Sequence, residues 1–309
     1  MNRLKGWRLR RTGENKKFGK GDIMIGIMQG RLTEPKGRGI QFFPFDNWER
    51  EFYIAREIGL DEIEFIFDFD AYEQNPLWTI KGREKLDRII RETNVRVNSV
   101  CFDYFMRRPF FRYDESQRKK IIAENTMVIK QVLIAMQELQ IGLIEIPLVD
   151  NSSIKTKEEK DVFRKWLMEI IKETSEQIRF GLETDLPPKD FGEYIDSFHV
   201  GRLGANYDSG NSSGIGYDLY EEVTTLGDRI FNIHIKDRVY HGPTVALGTG
   251  SANFQALFTG LREIGYKNHF ILQAARGEEG NEEENIKEQI DFVKKYIMEY
   301  GIGEKWINI

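Results

Sequence analysis

Eight short apolar runs, each followed by a stretch with helical periodicity, predict an α/β protein built as a single (β/α)8 TIM barrel for this 309-residue chain. The runs are rich in β-branched and aromatic residues without strict alternation, as strands buried on both faces are. The stretches between them repeat apolar residues at i, i+3 and i+4. No G-x-G-x-x-G follows an early strand, which argues against a doubly wound open sheet.

Taken in order, the first strand is read at 23–29, "IMIGIMQ", and the first helix at 47–59, stopped by Gly59. The second strand, 62–69, precedes a helix at 83–93, and the third, 95–102, precedes a long helix at 114–139. Strand four, 142–149, leads to helix 157–177; strand five, 178–184, leads to helix 187–198, which opens on prolines. Strand six, 203–208, is followed by helix 217–227, strand seven, 230–237, by helix 253–265, and strand eight, 270–275, by helix 281–301.

Residues 1–23 stand apart: basic, Gly-rich and without apolar periodicity. They are expected to be a disordered extension, or to precede a translation start at Met24, leaving 24–309 as the barrel domain. Net charge is −5, which disfavours non-specific nucleic-acid binding. The single cysteine, Cys101, excludes an internal disulfide framework and suits a reducing, cytoplasmic setting. No apolar run reaches the roughly 18 residues that span a membrane.

Barrel active sites lie at the C-terminal ends of the strands. Polar residues fall there on every strand: Gln29 and Arg31, Glu64, Cys101 and Asp103, Glu145, Glu183, Asp208, His234 and Lys236, and Gln273. Glu183, Asp208 and His234 end three successive strands. Two carboxylates and an imidazole converging on one cavity are suitable ligands for a divalent cation.

Five motifs then resemble the sugar phosphate isomerase/epimerase family, the xylose isomerase-like barrels that include endonuclease IV: "GLDEIEF", "FGLETD", "NYDSGN", "NIHIKDR" and "ALGTGSANF". The resemblance implies a divalent cation (Mn²⁺ first, with Mg²⁺, Co²⁺ or Zn²⁺ also suitable) held by Glu183, Asp208, His234 and a fourth residue on strand eight. That fourth position is a second glutamate in the family and Gln273 here. The implied chemistry is proton abstraction beside a carbonyl of a small carbohydrate, with Glu183 as base. Glu64 and Lys236 are the other candidate catalytic residues, and Lys236, inward beside His234, is also placed to hold a phosphate or carboxylate of the substrate. An amide has no useful acid–base pKa, so Gln273 cannot be the second base of a two-carboxylate epimerase. A one-base isomerase, recruitment of Glu64, Asp237 or Glu145, and a non-catalytic sugar-binding barrel all remain open on this reading.

Gln29, Arg31, Asn211, Arg238 and Arg276 are the expected substrate-binding residues, and Gly248 and Gly250 a phosphate-binding turn. An endonuclease-like role needs several histidine ligands. The chain has four histidines, and of these His234 alone lies on a barrel-mouth motif. A homodimer or homotetramer is expected.

Overall fold

The structure, a computed structural model, describes residues 23–303. Residues 1–22 of the expected extension at 1–23 and the last six residues, 304–309, lie outside them, while Ile23 is buried in the core. Eight parallel strands close into one barrel in the order β1-β10-β7-β6-β5-β4-β3-β2. They are β1 (Ile25–Met28), β2 (Glu62–Ile66), β3 (Ser99–Cys101), β4 (Leu143–Leu148), β5 (Arg179–Thr184), β6 (Leu203–Asp208), β7 (Ile230–Ile235) and β10 (His269–Leu272). All eight match the strands expected from sequence. The intervening β8 (Asp237–Arg238) and β9 (Thr244–Val245) form a small antiparallel hairpin outside the barrel.

The helices are α1 (Trp48–Ile58), α2 (Ile80–Thr93), α3 (Tyr104–Arg107), α4 (Glu115–Glu138), α5 (Lys157–Glu173), α6 (Pro188–Asp196), α7 (Ser209–Ile215), α8 (Leu219–Leu226), α9 (Phe254–Glu263) and α10 (Glu282–Tyr300). Boundaries follow caps. The Thr79 hydroxyl accepts from Gly82 N and starts α2 three residues before the expected 83. Thr156 and Glu159 form a capping box on α5, which stops at Glu173 where Thr174 turns extended, short of the expected 177. The short α3 and α7 carry too few residues for a periodic signal and were not anticipated. Among the described residues, no helix is long and apolar enough to cross a membrane.

The two-residue period of each strand separates two environments. Ile63 and Phe65 of β2, Ile233 and Ile235 of β7, and Phe270 and Leu272 of β10 are fully buried apolar residues in the core cluster. Phe270, for example, stacks on Phe258 of α9. The alternate residues meet inside the barrel and are largely polar: Glu62, Glu64, Ser99, Asn206, Asn232, His234 and His269 bond to one another across strands. Gly26 of β1 lies against Glu62, and a Cβ there would overlap that side chain. The barrel interior is therefore a packed polar column running up to the mouth.

Candidate active site

The column ends in a cluster around His234, which is fully buried on β7. Behind the ring, Nε2 lies 2.7 Å from Glu64 Oε1. Glu64 Oε2 accepts from Ser99 Oγ at 2.6 Å and Asn232 Nδ2 at 2.9 Å. On the other side, Nδ1 lies 3.4 Å from Glu183 Oε2 and 4.0 Å from Asp208 Oδ2. Burial alone would lower the imidazole pKa, but the flanking Glu64 and Glu183 carboxylates outweigh it and hold the value well above the ordinary one.

Each carboxylate is oriented. Asn206 Nδ2 donates to Glu183 Oε2 at 3.1 Å, its own orientation fixed because its Oδ1 accepts from Asn232 Nδ2 at 2.9 Å. Asn211 Nδ2 donates to Glu183 Oε1 at 2.6 Å. Asp208 caps α7: its Oδ1 accepts from the N–H groups of Gly210 and Asn211 at 2.8 and 2.7 Å, which leaves Oδ2 facing the mouth. Glu145 on β4 is buried, with neither oxygen bonded to a protein donor. Burial and then the Glu183 charge push its pKa well up.

The donor set fits a cation. Glu64, Glu145, Glu183 and Asp208 place four buried carboxyl groups about one imidazole and the Lys236 ammonium, an excess of acid that a low-dielectric interior tolerates poorly. Ligand atoms about 2.1 Å from a shared ion stand roughly 3.0–3.4 Å apart, as His234 and Glu183 do. One ligand atom from each of Glu145, Glu183 and His234 falls within 4.8 Å of the others. A carboxylate behind a histidine whose other nitrogen faces the ion is the usual arrangement supporting a metal-binding imidazole. Glu64 thus stands behind the ring rather than beside Glu183, with its oxygens committed to His234, Ser99 and Asn232.

Gln273, one residue past β10, continues the ladder through its N–H to the Ile235 carbonyl at 3.0 Å. Its Oε1 accepts from Lys236 Nζ at 3.3 Å, and its Nε2 donates to Gln41 Oε1 at 3.0 Å. Lys236 Nζ also reaches Asn211 Oδ1 at 3.1 Å and Asp208 Oδ2 at 3.4 Å. Gln41 donates to Asp103 Oδ2 at 2.6 Å. Burial raises the Asp103 pKa to about 6 despite that bond. Gln41, Phe43, Phe45, Asp68, Asp103 and Met106 line a cavity of about 490 Å³ beside this network. Gln41 escaped the sequence reading because nothing in the loop after β1 marks it; only closure of the barrel sets it beside Gln273.

Other expected residues have different partners. Arg276, expected to reach substrate, donates from Nε to the Ile40 carbonyl, from Nη1 to Thr33 and from Nη2 to Gly30 at 3.1, 2.9 and 2.8 Å. It straps the β1–α1 loop instead. Gly248 and Gly250, expected to cradle phosphate, both donate to Asp237 Oδ2 at 2.9 Å, and Ala252 N donates to Asp237 Oδ1 at 3.0 Å. An internal carboxylate fills that turn, which also removes Asp237 as a recruited base. Arg238 donates to the Gly242 carbonyl from Nη2 at 3.0 Å and to Asn211 Oδ1 from Nη1 at 3.3 Å, so it stays at the rim of the mouth. Gln29 Oε1 accepts from Ile66 N at 3.1 Å, while its Nε2 has no protein partner.

Residues 52–296 match the family model of the xylose isomerase-like TIM barrels. The chain belongs to that family. It is 24% identical over 269 residues to the L-ribulose-5-phosphate 3-epimerase of Salmonella paratyphi A, covering 83% of this chain and 92% of that one. The D-allulose 3-epimerase of Methylomonas sp., solved with D-allulose, is similar in fold, with TM-score 0.68 and 14% identity over 89% of this chain and 97% of that one. A zinc-bound IOLI protein is similar at TM-score 0.69 and 17% identity, covering 90% and 99%. At such identities the likeness to solved structures is one of fold. Within the family, this member carries an amide at its eighth strand and a lysine bonded to it.

Proposed function

We propose that this chain is a divalent-cation-dependent sugar isomerase or epimerase that moves a proton on carbon beside a carbonyl. The observation that carries the reading is the His234 geometry: Nδ1 faces Glu183 and Asp208 while Glu64 holds the far side of the ring. Membership of the family and the epimerases among the similar proteins support it. His234, Glu183 and Asp208 would hold the cation, with the Gln273 carbonyl oxygen in the fourth place after release from Lys236. Mn²⁺ suits this mixed oxygen and nitrogen set, and Mg²⁺, Co²⁺ and Zn²⁺ are the other candidates. When bound, the cation supplies electrostatic stabilisation of the negative charge that develops on the substrate oxygens.

The remaining chemistry belongs to the side chains. Glu183 takes the proton from carbon, with Asn206 and Asn211 fixing its two oxygens. Gln273 holds no exchangeable acid–base proton, whereas Lys236 Nζ beside it does. An isomerase returns the proton from Glu183; an epimerase delivers another from Lys236. Phe43 and Phe45 line the neighbouring cavity, apolar walls that would limit water at the exchanging carbon.

The test is to strip the protein with chelator, restore Mn²⁺, and follow exchange of ketose C–H protons with D₂O by NMR. About one cation per chain and deuterium at the carbon beside the carbonyl are expected. Sugar binding without cation uptake or exchange would make the barrel a binder and overturn the reading.

A further inference from the structure

Three donors on the segment after β1 are buried without a protein partner: Gln29 Nε2, Arg31 Nε and Arg31 Nη1. Arg31 is 4% exposed, and its remaining nitrogen, Nη2, makes only a 3.5 Å contact with the Gln273 carbonyl. A buried guanidinium is costly unless a matching anion takes its fork of donors. Its position is fixed from below. The buried Glu51 carboxylate accepts from Gly30 N at 2.9 Å, Leu32 N at 3.2 Å and Thr33 Oγ1 at 2.8 Å, so the turn carrying Arg31 is held before any ligand arrives. Burial, then the nearby Arg276 charge, lower the Arg31 pKa to about 9, which keeps it cationic at neutral pH. The charges of Asp208 and Asp103 act on it across the mouth.

Three other basic groups at the mouth have close hydrogen-bond partners, while Arg107, on the rim of the neighbouring cavity, is exposed and lies 4.0 Å from Asp70. Lys236 is shared among Asp208, Asn211 and Gln273, Arg238 between Gly242 and Asn211, and Arg276 among three loop carbonyls. The backbone N–H groups of the Gly248–Gly250 turn are closed by Asp237. We propose that Arg31 is the anchor for an oxyanion, phosphate or carboxylate, carried by the sugar substrate, with Gln29 Nε2 as an auxiliary donor. The proposal rests on the isomerase or epimerase reading and narrows its substrate to an anionic sugar.

Wild type, Arg31→Met and Arg31→Lys are compared, each first checked for an unchanged circular dichroism spectrum. Calorimetry reads Kd for D-ribulose 5-phosphate, D-fructuronate and neutral D-fructose, and NMR reads deuterium exchange on the same three sugars. One anionic ketose is expected to bind wild type about 30-fold or more tighter than D-fructose, the range lost with a charge-assisted hydrogen-bond pair. Which of the two it is separates phosphate from carboxylate. Arg31→Met is expected to raise Kd and KM for that sugar by about the same factor and to change kcat less than about threefold. Arg31→Lys is expected to recover part of the loss, since an ammonium keeps the charge but not the fork, and it decides the matter alone where Arg31→Met fails to fold. Equal binding of all three sugars, or an anionic Kd unmoved by both substitutions, overturns the anchor even where exchange persists. Arg31-dependent anion binding with no exchange on any probe upholds the anchor and overturns the isomerase reading.

Discussion

The barrel holds two glutamate–histidine pairs, one at each end, and both glutamates come from β2. Glu62 and Glu64 are two residues apart and so enter the interior together. At the lower end, Glu62 Oε1 meets His269 Nδ1 at 2.5 Å and Glu62 also accepts from Asn98 Nδ2. One acid faces one base, and the pair closes on itself. At the upper end, Glu64 meets His234 at 2.7 Å, but the same imidazole also faces Glu183 and Asp208, with Glu145 close by. The residue types are the same and the chemistry differs because the acids at the mouth outnumber the bases. A balanced pair contributes to the fold; an over-supplied one has the acid excess that suits a cation.

The largest effect is expected from Glu183→Gln. It should cut proton exchange by about 10³-fold, within the range for loss of a general base, while leaving the melting temperature near that of wild type. Turnover at the wild-type rate would remove Glu183 as the base. Glu64→Gln comes next: weakening the support behind His234 should reduce cation affinity by about 10–100-fold, read by competition with a fluorescent chelator. Unchanged affinity would mean that Glu64 has only a packing role. Gln273→Glu adds acid to the upper cluster instead of removing it. A fourth carboxylate in place of the amide should tighten cation binding by about tenfold, in keeping with the charge of the ligand set. Identical affinity would place Gln273 outside the ligand set.

The smallest effect belongs to the lower pair. His269→Gln should leave cation binding and exchange unchanged and lower stability by about 1 kcal/mol, the net worth of one hydrogen bond. Burial lowers the His269 pKa, but the Glu62 charge more than compensates and the folded value is raised. Its stabilisation is therefore fully present below the unfolded imidazole value near 6.5 and is lost as pH rises through the folded value. The melting-temperature gap between wild type and variant should shrink from pH 6 to pH 9. A gap that widened over that range would contradict the charged pair.

Most of the fold was legible because strand and helix signals are local. The eight barrel strands and the eight principal helices were found from runs and periods, and the boundary errors fell where a cap, such as Thr79, or an early stop, such as Thr174, outweighed the period. The site was legible to the extent that strand ends identify mouth residues: Glu183, Asp208 and His234 do converge. Partner choice was less legible. Arg276 lies after the eighth strand as a substrate anchor would, yet the β1–α1 loop offers it three carbonyls. Gly248 and Gly250 have the spacing of a phosphate turn, yet Asp237 already fills it.

The alternation of strands and helices, the inward register of Glu64, and an amide where a second base would stand can all be read from the chain alone. These follow from backbone periodicity and side-chain chemistry, which each residue carries with it. Which donors find acceptors depends instead on how the folded chain brings distant residues together. Closure of the barrel brings Lys236 and Gln41 onto Gln273, ties Arg276 to a loop more than 230 positions away in the chain, and leaves Arg31 buried with two nitrogens unpartnered. Hydrogen bonding depends on distances of about 3 Å between groups far apart in sequence, and no local pattern encodes them.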